Sequence, residues 1–402
     1  MTTVEARLKQ QVEAFFGHTI ATAADCAALA GAIRSATGEA ISAQTLRRCW
    51  GIVRSKAGIS RHTHDVLSRY IGYKDRSDFE QRVAGHIPQV PDLSPFETLF
   101  RKNQQHTGNR AFWHEGITQF MAEMILTNEL VFEAFVIHLH ANAGAMTYIM
   151  ADYLMYDHLN KDWYMRGIRL FCRSSPVVHH QVYLASLECV GAMLNNRPED
   201  AGAALHRMAA LRPEMRRKHG TVWTLEGALL GCRVALAATE GDAATASHVM
   251  EEALALIAEN RPRIFEGRDD YRDFVRTFCE PLLWNGLYDH CAEMMHQCGQ
   301  ADCDTRLWAD TAVVWDKLLA TLLLLRKGKR QQAKILSEEI SLHQVRFDRK
   351  NLYAIFSLLV QLGLCGNGAT KKKTAIRAHI AALTKATGMT LLNQRIPDFD
   401  LC

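Results

Sequence analysis

The sequence predicts an all-α fold: a small N-terminal helical module followed by an irregular α-solenoid of helix pairs. Three observations carry that expectation. β-branched clusters with period-two alternation do not recur, so strand signals are nearly absent. Short polar turns recur instead, each between two helix-like stretches: 158–160, 195–197, 240–242, 285–287, 327–329 and 366–368. Centred on Leu159, Asn196, Gly241, Gly286, Gly328 and Asn367, they are spaced by 37, 45, 45, 42 and 39 residues, the period of stacked helix pairs. The third observation is charge. Residues 1–87 hold 12 Lys/Arg and 8 Asp/Glu, while 88–402 hold 35 of each, so the whole formal charge of +4 sits in the first fifth of the chain. A basic module on a neutral body points to one part that meets polyanion and another that meets something else.

Five helices are predicted in the module. Thr3–Phe16 is first. Ala23–Thr37 follows, with Thr22 or Asp25 at its cap and Gly38 closing it. Ser42–Ser55 is third and Ser60–Ile71 fourth, both starting on a capping serine, and Ser77–Val83 is a short fifth. On the third, Leu46, Cys49, Trp50 and Val53 fall at i, i+3, i+4 and i+7, one apolar face. The opposite face carries Gln44, Thr45, Arg47, Arg48 and Arg54, the residue types that read base edges and phosphates. With Ser42, Lys56 and Arg61 these residues form the candidate DNA-binding set. Between positions 33 and 61 the basic residues face a single acid, Glu39.

Pro88, Pro91 and Pro95 break any helix after the module, so 88–95 reads as a linker and 96–402 as the solenoid. In the solenoid, glycine or asparagine at each turn suits the left-handed conformation that closes a helix, and Asp242 is placed to cap the next one. Buried faces are predicted at Ala246, Val249, Met250, Ala253, Leu254 and Ile257, again at Ala333, Leu336 and Ile340, and at Ala375, Ile376, His379, Ile380 and Leu383. Gly227, Ala228, Gly231 and Ala235 allow a neighbouring helix to approach closely. Over roughly 140–390 this is similar to tetratricopeptide-type packing. The apolar tail, from Met389 to Cys402, predicts a segment that packs on its own last helix pair or on a second subunit.

Catalytic chemistry finds no support, and the chain reads as a non-enzyme without cofactor or metal. His114-Glu115 lacks a second histidine at metalloprotease spacing, and Gly363–Lys371 has no strand before it and no glycine before Lys371. His138 and His140 point apart on a helix, and His296, Cys298 and Cys303 have no second pair nearby. The 18 histidines are scattered. Eleven unpaired cysteines and no leader-like apolar run place the protein in the cytoplasm, with reduced thiols. No apolar run approaches the roughly 20 residues of a membrane helix, so no membrane association is expected. Aromatic residues crowd 96–180, and at helical spacing most of them read as core, with an aromatic-lined groove as the alternative. Beside them Trp163 with Arg166, Arg169 and Arg173, the arginines on one helix face, form a candidate groove for a peptide or ligand.

The stretch Asp25-Cys26-Ala27-Ala28-Leu29-Ala30, Ser42-Ala43-Gln44-Thr45-Leu46-Arg47, Ser60-Arg61-His62-Thr63 and Tyr70-Ile71-Gly72-Tyr73 resembles a helix-turn-helix-like module found at the N-terminus of many cytosolic bacterial proteins. The resemblance covers about residues 20–82 and implies a helical fold. The connection Gly38–Ser42 is longer than the compact helix-turn-helix turn. The order of module and repeats resembles peptide-responsive bacterial regulators. Two readings follow. In the first, the chain is a DNA-binding transcription regulator, a homodimer on double-stranded DNA, with a helical-repeat sensor and dimerisation domain. In the second, it is a protein-interaction adaptor whose N-terminal module binds a protein partner.

Overall fold

A computed structural model describes residues 3–16, 19–53, 59–84, 117–139, 142–175, 177–264, 270–298, 309–366 and 369–400. The fold is all-α, and no strand occurs among the described residues. The chain divides into two compact units. One comprises residues 1–109 and 124–151, the other 110–123 and 152–402. The helix Glu129–Leu139 thus groups with the N-terminal residues, whereas the expected division assigned it to the solenoid. The expected linker, 88–95, lies outside the described residues.

The first unit opens with α1 (Thr3–Phe16), α2 (Ala23–Thr37), α3 (Ala43–Cys49), α4 (Arg61–Tyr70) and α5 (Arg76–Ala84). Its starts and stops follow the local chemistry of the chain. Thr22 and Asp25 form a capping box on α2: the Asp25 amide donates to Thr22 Oγ1, and Asp25 Oδ2 accepts from the Thr22 amide. Gly38 then closes the helix at φ 71°. Ser42 caps α3 through the Thr45 amide at 3.0 Å, and Ser60 caps α4 through Thr63 at 3.2 Å. Leu46 and Leu67 join Val12, Leu29, Ile33 and Phe79 in one core, and the Phe15 and Tyr70 rings meet edge-on at 4.8 Å.

Two expectations for this unit are corrected. The third helix is two turns long, not four: it ends at Cys49 because Gly51 turns left-handed at φ 74° and its amide bonds back to Arg48. Val53 therefore does not extend its apolar face. Trp50 lies only partly buried at the edge of the core, its indole N–H donating to Glu13 Oε1 at 2.8 Å. The next described helices are α6 (Ile117–Leu126), divided between the two units at residue 124, then α7 (Glu129–Leu139) and α8 (Ala143–Asp152), with α7 packed on α1.

The second unit is built from antiparallel pairs. After a 3₁₀ turn at Tyr156–His158 and α9 (Asp162–Ser174) come α10 (Val178–Leu194) with α11 (Pro198–His219), and α12 (Trp223–Thr239) with α13 (Ala243–Ile264). Next are α14 (Asp270–Trp284) with α15 (Tyr288–Cys298), α16 (Ala309–Arg326) with α17 (Arg330–Glu338), and α18 (Lys350–Leu364) with α19 (Thr370–Thr387). First helices stack on first helices: α10 on α12, α12 on α14, α16 on α18. This is the stacked-pair order the turn spacing predicts.

Four of the predicted turns share one geometry. Asn196, Gly241, Gly286 and Gly328 all have positive φ, between 55° and 81°. In each, the next amide reaches back to the carbonyl five residues earlier: Arg197 to Ala192, Asp242 to Ala237, Leu287 to Leu282, Lys329 to Leu324, at 2.8–2.9 Å. That bond closes the helix end and frees the chain to reverse. Asp242 caps α13 through the Thr245 amide at 3.0 Å. The buried face of α13 is as predicted apart from Leu254, which is half-buried. On α19 the face is Ile376, Ile380, Thr384 and Thr387, with Ala375 and His379 exposed.

The unit's first and last elements touch. Asn351 donates to Asp157 at 2.5 Å, Arg346 donates to the Asp152 carbonyl at 2.9 Å, and the Tyr153 and Phe347 rings stack at 5.5 Å. Beyond Gly388, a 3₁₀ segment (Thr390–Arg395) and the short α20 (Ile396–Asp400) fold back onto the same chain. Gln394 meets Asn196, Phe399 is buried against Tyr288, and α20 lies on α16 and α18. The apolar tail therefore caps its own unit.

Among the described residues no helix is long and apolar enough to cross a membrane. Cys26, Cys49, Cys172, Cys189, Cys232, Cys279, Cys291 and Cys365 are unpaired and buried, and burial pushes the Cys49 thiol up to about 11 and the Cys172 thiol to about 12.

Candidate nucleic-acid interface

The first 87 residues contain eight acids, and each is engaged inside the unit. Glu13 accepts from the Ile20 amide and the Trp50 indole. Asp25 caps α2, and Asp75 and Asp78 organise the start of α5. Asp65 accepts from the Arg76 amide at 2.9 Å, and Glu80 pairs with the Arg76 guanidinium. Glu5 lies 3.6 Å from His64 Nε2. Glu39, the acid beside the candidate helix, receives Arg69 in a two-pronged pair at 2.6 and 2.8 Å. The Arg69 hydrogen bond holds the Glu39 carboxyl below its ordinary value.

The cations divide differently. Arg69 and Arg76 are consumed by these pairs, whereas Arg34, Arg48, Arg61 and Lys74 are exposed and make no ion pair among the described residues. Two of the acids, Glu39 and Glu80, are thus matched by arginines and the others accept hydrogen bonds or stand beside His64 within the unit, while these four cations stay exposed.

Within the candidate set, Gln44 and Arg48 are one turn apart on α3 and both exposed, so they share its outer face. Ser42 and Thr45 are taken up by the cap, their hydroxyls 2.8 Å apart. Arg47 does not stand with Arg48. It is half-buried near Cys26, where it opposes the upward push of burial on that thiol, and its Nε is buried with no hydrogen-bond partner among the described residues. Arg61 opens α4 beside His62, both exposed, where the free backbone amides of a helix start favour phosphate. Arg54 and Lys56 lie outside the described residues.

In the second unit, Trp163 is buried against His158 and Tyr164, with ring centroids at 4.9 and 5.9 Å. Arg169 shares Glu188 with Arg207, at 3.2 and 2.5 Å. Arg166 is half-buried and Arg173 exposed.

The structure also gathers groups that the sequence leaves apart. Glu226, fully buried on α12, is held by Arg212 and Arg216 of α11, and Arg212 bridges on to Glu252 of α13. His179 stands 4.4 Å from the His180 ring and 4.9 Å from the ring of His219. The adjacent pair, His179-His180, was the one visible hint of this cluster. Burial holds both imidazoles below their ordinary value, His180 at about 4, and the neighbouring rings add to the shift. Among the described residues no group of histidine, cysteine and carboxylate side chains is arranged to hold a metal ion.

A pH effect follows. The unfolded chain binds a proton at this position near 6.5, and the folded chain only near 4. Stability is therefore fully present above 6.5 and is lost as pH falls toward 4. Thermal melts of the parent and His180→Gln at pH 7, 5.5 and 4.5 should converge on acidification, the parent losing up to about 3 kcal/mol more than the variant. Parallel melting curves over that range would assign the loss to other groups.

Compared with known protein families, curated protein sequences and solved structures, the chain finds no match.

Proposed function

We propose that the N-terminal unit binds double-stranded DNA and that the chain is a non-enzymatic transcription regulator, with the helical-repeat unit carrying sensing and dimerisation. The observation that carries this reading is the division of charge in the first 87 residues: eight acids engaged internally, against exposed Arg34, Arg48, Arg61 and Lys74. An acid paired with an arginine, as Glu39 is with Arg69, adds little repulsion to an approaching phosphate, while an exposed arginine releases counterions on contact.

The roles differ by position. Gln44 and Arg48 project from the outer face of α3, and their chemistry suits adenine and guanine edges. Arg61 and His62 sit at the start of α4, where phosphate is favoured twice, by charge and by the helix dipole. A two-turn helix presents fewer residues than the four-turn helix expected from sequence. One copy therefore reads a short site weakly, and two copies are needed for a specific one.

Fluorescence anisotropy of the full chain on duplex DNA, repeated across salt concentrations, tests this. Arg61→Ala should reduce the slope of log affinity against log salt by about 1, with little dependence on sequence. Arg48→Ala should cost about 1–3 kcal/mol on a preferred duplex and less on a random one. Binding by Arg48→Ala/Arg61→Ala equal to that of the parent at every salt concentration would remove this surface from the interface.

A further inference from the structure

The tail from Gly388 to Asp400 is seated as a bound peptide is seated. Phe399 is 1% exposed and meets the Tyr288 ring edge-on at 5.6 Å. Charged contacts flank this anchor on both sides. Asp398 accepts the Tyr288 hydroxyl at 2.9 Å, and its carbonyl accepts from Arg326 at 2.8 Å. The Asp400 carbonyl accepts from Lys373 at 2.7 Å, and its carboxylate pairs with Arg377. A buried aromatic anchor inside a charged rim is the anatomy of a recognition site, where the anchor supplies affinity and the rim selects the partner.

We propose that the surface beneath residues 396–400 is a peptide-binding site, occupied in cis by the chain's own tail and open to an acidic partner segment with an aromatic residue between two carboxylates. The tail leaves part of the site unfilled. A cleft of about 360 Å³ adjoins it, lined by Tyr288, His290, Leu323, Arg326 and Lys327, with Asp289 as its one acid. Tyr288 and Arg326 belong to both the cleft and the tail contact. Lys327 is exposed there, and Lys329 beside it in the sequence is exposed as well.

The tether sets what a competitor must offer. A tail joined through one left-handed glycine, Gly388 at φ 78°, competes at an effective concentration in the millimolar range. A free segment with the same contacts loses to it. A segment that repeats the anchor and adds carboxylates reaching Lys327 and His290 gains contacts that the tail does not make. The partner is therefore longer and more acidic than the tail. This inference stands apart from the nucleic-acid reading, since it uses only the second unit.

The test is anisotropy of a labelled peptide with the sequence of residues 389–402, titrated with the full-length chain. Phe399→Ala vacates the anchor, and the peptide should bind this variant at least about tenfold tighter than the parent. Adding Lys373→Ala and Arg377→Ala to that chain should return binding to the parent level. A peptide with alanine in place of its phenylalanine should not bind. The parent should take up a version extended by glutamates, and Arg326→Ala/Lys327→Ala should lose it. Circular dichroism confirms that each chain is folded. Should Phe399→Ala fail to fold, Asp398→Asn/Asp400→Asn loosens the tail without a cavity and carries the same expectations. A folded loosened chain that ignores the peptide, or binding indifferent to the peptide's phenylalanine, overturns the proposal. A doubled mass of the loosened chain in place of peptide capture also overturns it, in favour of tail exchange between two copies.

Discussion

Arg349→Ala will destabilise the second unit by about 3–5 kcal/mol. Arg349 is buried and donates to Glu280 Oε1 at 2.8 Å and to the Tyr156 hydroxyl at 3.3 Å, with its guanidinium 4.8 Å above the Tyr156 ring. Tyr156 in turn donates to Glu280 Oε2 at 2.5 Å. Three segments, around residues 156, 280 and 349, are thereby held at one point. Removing the arginine leaves the Glu280 carboxylate 2% exposed, with Arg276 no nearer than 3.9 Å. An unpaired charge in that position must shed its ionisation or let water in, and either route loosens the packing. The paired replacement Arg349→Met/Glu280→Leu removes both charges and should cost far less than Arg349→Ala alone. Urea unfolding of the parent, each single variant and the double variant measures the difference. A single-variant loss below about 1 kcal/mol would mean that water already reaches the pair.

Gly231→Leu should prevent the parent packing of α12 on α14, and Gly231→Ala should cost about 1–3 kcal/mol. A Cβ on Gly231 would fall against the Phe278 carbonyl oxygen, inside van der Waals distance, and 2.9 Å from the Phe278 Cα. The obstacle is backbone, which cannot rotate away. Elsewhere in a helix, alanine gains about 1 kcal/mol over glycine, so the sign here is set by contact and not by propensity. Gly202 on α11 is the control: it faces open space, and Gly202→Ala should raise stability by about 0.5–1 kcal/mol. Thermal melts of the two alanine variants should shift in opposite directions. Shifts of the same sign would show that α12 and α14 can separate without loss.

The close approach at Gly227 and Gly231 was legible in the sequence, and so were the four left-handed turns. In both cases the requirement falls on one residue, and glycine or asparagine meets it wherever it occurs. The length of α3 was not legible. Val53 completes an apolar face at helical spacing, and only the conformation of Gly51 reveals that the helix has already ended. Among the candidate DNA-binding residues, the exposure of Gln44, Arg48 and Arg61 follows from their helix face. The half-burial of Arg47 does not, because it depends on where α2 lies. Glu226 and Glu280 gave no local signal at all. Each reads as an ordinary surface residue until α11, or residues 156 and 349, bring arginine and tyrosine to it.

The contact between residues 152–160 and 346–395 has a consequence for how the chain is made. Repeat units ordinarily settle one neighbour at a time, so an emerging array can fold in order behind its own synthesis. Here Tyr156 and Asp157 receive Arg349 and Asn351, which are made 193 and 194 residues later. Until then the earliest pairs of the second unit carry buried polar groups without their partners. The early turn of the second unit is therefore completed by its late segments, so the unit closes as a ring of dependence and not pair by pair.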